Sequence, residues 1–249
     1  MTPAVAIVVF PGTNSEAETL DACIAAGMTA RLFHWSEEPT LLRDFNAYVL
    51  PGGFAFEDRV RAGAIAAKTR AMDVIAAEAA RGKLVLGICN GAQALAERGL
   101  LGEVAIGRNL PARHFQCRFV DVVSGRRPQA CAFTAGLQPQ SVLRMAFAHG
   151  EGRFCGSAAY FDELEAQGRI VFRYRGPAPN GALHDAAAVC NERGNVLGLM
   201  PHPERAAWAF NLAFKKPALR GGDPNAPAGA HAIFVSMRSA LEHPEKQNR

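Results

Sequence analysis

The sequence predicts an α/β fold with a mostly parallel central sheet, helices on both faces and an antiparallel extension in the second half. Three observations carry this. Short apolar runs alternate with segments of helical spacing over roughly the first ninety residues, the pattern of strand–helix–strand units. The first run, AVAIVVF at residues 4–10, is continuous and rich in β-branched residues, as a strand covered on both faces requires. From residue 115 the pattern becomes an alternation suited to antiparallel strands.

Each element can be justified in order. After the first strand, Pro11-Gly12-Thr13-Asn14 supplies turn and capping residues, and residues 15–26 keep helical spacing until Gly27 ends it. Residues 29–33, Ala47–Leu50 and Leu84–Ile88 read as further strands, with one long Ala-rich helix over residues 62–81 before the last of these. Residues 115–123 and 142–148 read as an added antiparallel sheet, with turn chemistry beginning at Ser124-Gly125 between them. Ile170–Tyr174, residues 187–190 and residues 196–200 come next as short strands. The Pro- and Gly-rich KKPALRGGDPNAPAGA, residues 215–230, predicts a surface loop, and residues 231–241 a closing helix. No internal repeat divides the chain, so residues 1–249 read as a single domain.

Composition narrows the function classes. With 249 residues and 49% hydrophobic content, the chain can bury a substantial core without staples. Its formal charge of +4 is small, and Lys and Arg are scattered, so the footprint of a nucleic-acid binder is missing. No apolar run approaches the roughly 20 residues of a membrane helix, and Met1-Thr2-Pro3 leads straight into a strand-like segment. The expectation is a cytoplasmic protein acting on small molecules, with neither nucleic acid nor membrane as a partner. Six cysteines without Cys-x-x-Cys spacing read as reduced thiols, and nothing in the pattern suggests a metal site.

One cysteine has an unusual setting. In KLVLGICNG, Cys89 stands between Gly87 and Gly91 where a strand gives way to a helix, a cysteine version of the nucleophile elbow. Glycines allow the tight turn, and the helix start favours the thiolate. A packing cysteine between two chance glycines is the competing reading. His202, in GLMPHPER, is held between two prolines at a strand end, and Glu204 is close enough to orient its ring. A surface turn, with Glu204 capping the next helix, is the alternative there. At the end of another strand, Gly52 and Gly53 of LPGGF could present backbone amides to an oxyanion or cradle a phosphate.

Taken together, LPGGF, RAGAIA, KLVLGICNGAQ, AHGEG and NERGNVLGLMPHPERA resemble the PurQ-type glutamine amidotransferase subunits of phosphoribosylformylglycinamidine synthase. The resemblance runs from VVFPGTNSE to PHPERA. It implies the flavodoxin-like fold of class I glutamine amidotransferases, with Cys89 as the nucleophile that forms a glutamyl thioester, His202 as base and acid, and Glu204 as its orienting carboxylate. Amides near Gly53 and Asn90 would form the oxyanion hole. Gln93, Gly150 and Glu151 would hold the glutamine substrate, while His149 is read as structural. No cofactor is expected in this chain. The resemblance implies a large synthetase subunit, carrying ATP and magnesium, and a small accessory subunit. Ser15 and Glu16 replace the family's cysteine and aspartate, and GGFAFED replaces its Ser-Tyr-Gly form. Two readings from other classes stand beside this one: a Cys-His peptidase or esterase, and a flavodoxin-like binding or redox module.

Overall fold

The computed structural model describes residues 2–212 and 223–244. In chain order they form β1 (Ala4–Val9), α1 (Glu16–Ala25), β2 (Thr29–His34), β3 (Ala47–Leu50), α2 (Arg70–Ala80), β4 (Leu84–Ile88) and α3 (Asn90–Glu97). Next come β5 (Ala105–Arg108), β6 (Gln116–Ser124), β7 (Val142–His149), β8 (Glu151–Cys155), α4 (Ala158–Ala166) and β9 (Ile170–Tyr174). The chain continues through β10 (Ala186–Cys190), β11 (Val196–Leu199), α5 (Ala209–Leu212) and α6 (Ala232–Glu242).

Nine strands make one sheet in the order β2-β1-β3-β4-β11-β10-β9-β6-β7. The first five are mutually parallel, and β10, β9, β6 and β7 continue the sheet antiparallel. Every residue of β3, β4 and β11 is buried, which is why each reads as an unbroken apolar run. Apolar burial on this scale, about 1.5–3 kcal/mol for each large side chain, is what holds the parallel half together. Helix α1 packs on β1 and β2, and α3 on β4 and β11. Arg238 of α6 donates to the Ala26 carbonyl oxygen at 3.2 Å, docking the last helix on the carboxyl end of α1.

Two expectations need correction. The antiparallel strands are not a separate sheet: Val122, Val123 and Ser124 of β6 pair with β9, so they extend the main one. The separate sheet is the unforeseen pair β5–β8. The helix expected over residues 62–81 begins only at Arg70. Val60 and Gly63 take positive φ (71° and 78°), residues 66–68 form a single 3₁₀ turn, and Thr69 caps the helix by accepting from the Met72 amide. Gly63 lies so close to α3 that a Cβ there would sit 2.5 Å from the Ala94 nitrogen. Of the expected loop at residues 215–230, only residues 223–230 fall within the described residues.

The consequence for function is positional. β4 and β11 are adjacent and parallel, with Ile88 opposite Leu199, so the segments leaving both strands emerge side by side at the carboxyl edge. Cys89 lies just past the first strand and His202 just past the second.

Candidate active site

Cys89 occupies a backbone conformation (φ 50°, ψ −105°) that L-residues rarely adopt. Packing dictates the glycines around it. A Cβ on Gly87 would meet the Gly91 carbonyl oxygen at 2.7 Å, and one on Gly91 would overlap the carbonyl oxygen of Leu50. The Cys89 amide donates to the Leu199 carbonyl oxygen at 2.8 Å, pinning the turn to β11. The sulfur is 3.8 Å from the Ala148 carbonyl oxygen, and α3 starts directly after it. The first-turn amides and the positive end of the helix dipole favour negative charge there.

His202 is fixed from two sides. Its amide donates to the Ala146 carbonyl oxygen of β7 at 2.7 Å, and its Nδ1 is 2.6 Å from Glu204 Oε1. Both residues are essentially buried, at 2% and 1% exposure. With Nδ1 held by the carboxylate, Nε2 is the nitrogen left for the cysteine. Burial opposes a charged ring, yet the Glu204 carboxylate and then Cys89 outweigh it and push His202 up to about 10. A protonated imidazole beside the sulfur stabilises the charge a thiolate nucleophile carries.

The glycines of LPGGF divide their work. The Gly52 amide is committed, donating to Ser15 Oγ at 2.9 Å, and a Cβ on Gly52 would sit 2.5 Å from His202 Cε1. Gly52 is therefore the flat support against which the imidazole rests, not an amide donor to a ligand. Ser15, at the capping position of α1, makes no cap bond and lends its hydroxyl to this contact. Gly53 pairs with Thr13 in a short antiparallel bridge, flanked by Asn14 N–H to Gly52 O and Phe54 N–H to Gly12 O. That pattern turns the Gly53 amide away from the bridge. The Asn90 amide, in the first turn of α3, has no acceptor from the helix.

Asn90 contributes its side chain as a clamp. Its Oδ1 accepts from the Ala55 amide at 2.8 Å, and its Nδ2 donates to Asp58 Oδ1 and Gln93 Oε1, each at 2.9 Å. Gln93 in turn donates to the Glu151 carbonyl oxygen at 2.6 Å. Cys89, Gly53 and Gln93 share a cavity of about 180 Å³ with Gly150, Glu151 and Ala148, under Phe54 and Phe115. The structure thus brings all the sequence-predicted residues together, with Gly52 and the side chains of His202, Glu204 and Asn90 behind the cavity wall.

Two further residues line that cavity. Asp58 closes the GGFAFED stretch, but nothing local in the sequence marks its carboxylate as a cavity residue. His149, read as structural, is a wall of the cavity. Its Nδ1 faces Asn109 Oδ1 at 3.1 Å, its Nε2 has no partner among the described residues, and burial holds the ring down to about 3. Gly152 is required beneath it, since a Cβ there would run into the ring. No group of three or more potential metal ligands occurs among the described residues.

A thiol, an oriented imidazole and free backbone amides at the carboxyl edge of a parallel sheet define a cysteine-dependent acyl-transfer site. Comparison with known proteins makes this specific. Residues 2–238 match the family model for the CobB/CobQ-like glutamine amidotransferase domain. The chain is 36% identical to subunit PurQ of phosphoribosylformylglycinamidine synthase from Methanothrix thermoacetophila, over 96% of this chain and 98% of that protein. It is 44% identical to the PurQ subunit of Thermus thermophilus, over 81% and 88% of the two chains. Among solved structures, PurLQS from Thermotoga maritima superposes with a TM-score of 0.78 at 33% identity, covering 97% of this chain and all of that one. The chain belongs to the glutamine amidotransferase family, and within it to the PurQ subunits of phosphoribosylformylglycinamidine synthase.

Proposed function

We propose that this chain hydrolyses glutamine to glutamate and ammonia through a thioester on Cys89. It delivers the ammonia to a synthetase partner that makes phosphoribosylformylglycinamidine in purine biosynthesis. The carrying observation is that Cys89 opens on the cavity while the buried His202–Glu204 pair stands beside its sulfur behind the cavity wall, in a chain related over almost its whole length to PurQ subunits. The sulfur attacks the carboxamide carbon, and the amides of Gly53 and Asn90 receive the developing oxyanion. As the C–N bond breaks, His202 Nε2 gives its proton to the leaving nitrogen, releasing ammonia and leaving the glutamyl thioester. His202 then takes a proton from water, whose oxygen attacks the thioester carbon. The C–S bond breaks, glutamate departs and the starting ion pair is restored. Gln93, Gly150 and Glu151 surround the amino-acid end of the substrate.

The ammonia must travel unprotonated, because ammonium has no lone pair. This reading therefore includes a complex with a large synthetase chain, which holds ATP and magnesium to activate the amide, and a small accessory subunit, as in an assembly of the PurLQS kind. Its compartment in this reading is the cytoplasm. Among the described residues, no helix is long and apolar enough to cross a membrane.

The test is glutaminase kinetics across a titration of the cognate synthetase with its substrate and nucleotide. Slow turnover alone, rising in kcat on assembly, is expected, since a displacement of about 1 Å in an aligned donor can change the rate on the order of a hundredfold. Hydrolysis of peptides or esters without preference for glutamine would overturn the reading in favour of a general Cys-His hydrolase. A substitution tests the geometry directly. Gly52→Ala displaces the His202 ring, so kcat for glutamine should fall on the order of a hundredfold with little change in KM. Steady-state rates of the variant complex measure it.

A further inference from the structure

We propose that Asp58 recognises the α-ammonium group of the substrate and so makes the site select L-glutamine over amides that lack an α-amino group. This rests on the glutaminase reading and adds a residue to it. Two carboxylates line the cavity, and only one is neutralised. Glu151 pairs with Arg108 at 3.2 Å, whereas Asp58 has no ion-pair partner among the described residues. Among the described residues its side chain accepts only from the neutral Asn90 amide, at 2.9 Å.

The backbone is bent against its preference to hold it there. Phe56, Glu57 and Asp58 have φ of 54°, 59° and 53°, three consecutive non-glycine residues in the left-handed region. Such conformations are disfavoured for L-residues by the clash of Cβ with the following carbonyl, and they persist where the surroundings enforce them. Here the enforcement is visible: Phe56 N–H donates to Pro11 O at 2.7 Å, Glu57 N–H to Phe54 O at 2.8 Å, and Ala55 N–H to Asn90 Oδ1. Asn90 thus ties the carboxylate rigidly to the residue next to the nucleophile.

None of the other lining residues is cationic: His149, the one basic side chain among them, is held down to about 3 by burial and so stays neutral. Burial raises the Asp58 carboxyl to about 6, the Asn90 bond opposes this, and the Glu151 charge adds to it. A cation arriving in the cavity relieves that unfavourable burial. The α-ammonium is the cation that an amino-acid amide brings, and a charge-assisted hydrogen bond to a carboxylate is among the stronger recognition contacts.

Asp58→Asn keeps an oxygen for the Asn90 Nδ2 and removes only the charge. With the protein in complex with its synthetase, kcat/KM is measured for L-glutamine and for glutaramate, the same amide without the amino group. The wild-type preference for L-glutamine should shrink on the order of 10- to 100-fold in the variant, mainly through KM. A second measurement needs no turnover. Alkylation of Cys89 by a diazoketone analogue of glutamine should slow in the variant, while alkylation by neutral iodoacetamide should proceed as in the wild type. An unchanged preference ratio, or equal slowing toward both alkylating agents, would make Asp58 a structural residue and overturn the proposal. Wild-type protein inert toward L-glutamine would instead overturn the glutaminase reading, and this inference with it.

Discussion

Cys89→Ala is expected to abolish glutamine-dependent synthesis while the reconstituted complex keeps its ammonia-dependent rate. The reason is a division of labour: the thiol generates ammonia but takes no part in activating the acceptor amide. Loss of a nucleophile that acts as a unit with its base is a change on the order of a millionfold in kcat. The fold should tolerate the substitution. The side chain is buried, its contact with the Ala148 carbonyl oxygen is a long 3.8 Å, and the turn is held by the Cys89 amide and the glycines at 87 and 91, none of which changes. Parallel assays with glutamine and with ammonium salts check both halves. Retained glutamine-dependent synthesis would show that another group attacks the carboxamide.

How much of the fold and site is legible in the sequence depends on where each signal resides. The parallel strands are readable because burial on both faces forces continuous apolar runs, and their expected ends fall within a residue or two of the observed ones. β5 and β8 are not readable. Ala105–Arg108 is partly exposed and pairs only with β8, so no apolar run marks it. α4 escapes because just Phe161 and Leu164 are buried, a stripe too narrow to stand out. The elbow and the Pro-His-Pro-Glu segment are legible since each is local, with glycines, prolines and a helix start beside the reacting group. Asp58 is the opposite case: Phe-Glu-Asp carries no left-handed signature, and the bend exists only because Pro11 and Asn90, distant in sequence, grip it. Gly52 is legible as a glycine needed for close approach, but what approaches is the imidazole, which sequence spacing cannot reveal.

The second large effect expected is that of His202→Ala, which should lower glutamine turnover by about 10³- to 10⁴-fold and slow thioester formation and thioester hydrolysis together. The leaving nitrogen needs a proton in the first step, and the attacking water must lose one in the second. A single imidazole with its Nε2 toward the sulfur serves both. Glu204→Gln separates orientation from charge. The amide can still bond Nδ1, but without the carboxylate the burial that opposes a charged ring prevails, so His202 falls from its raised value of about 10 toward the neutral form. The proton then rests on the sulfur and the thiolate is no longer preformed at neutral pH, so acylation should suffer more than deacylation. Rapid quench of single turnovers with labelled glutamine resolves the two steps. A Glu204→Gln protein that forms thioester at the wild-type rate would show that the carboxylate only positions the ring. A His202→Ala protein that forms it rapidly and then traps it would show that another group activates Cys89.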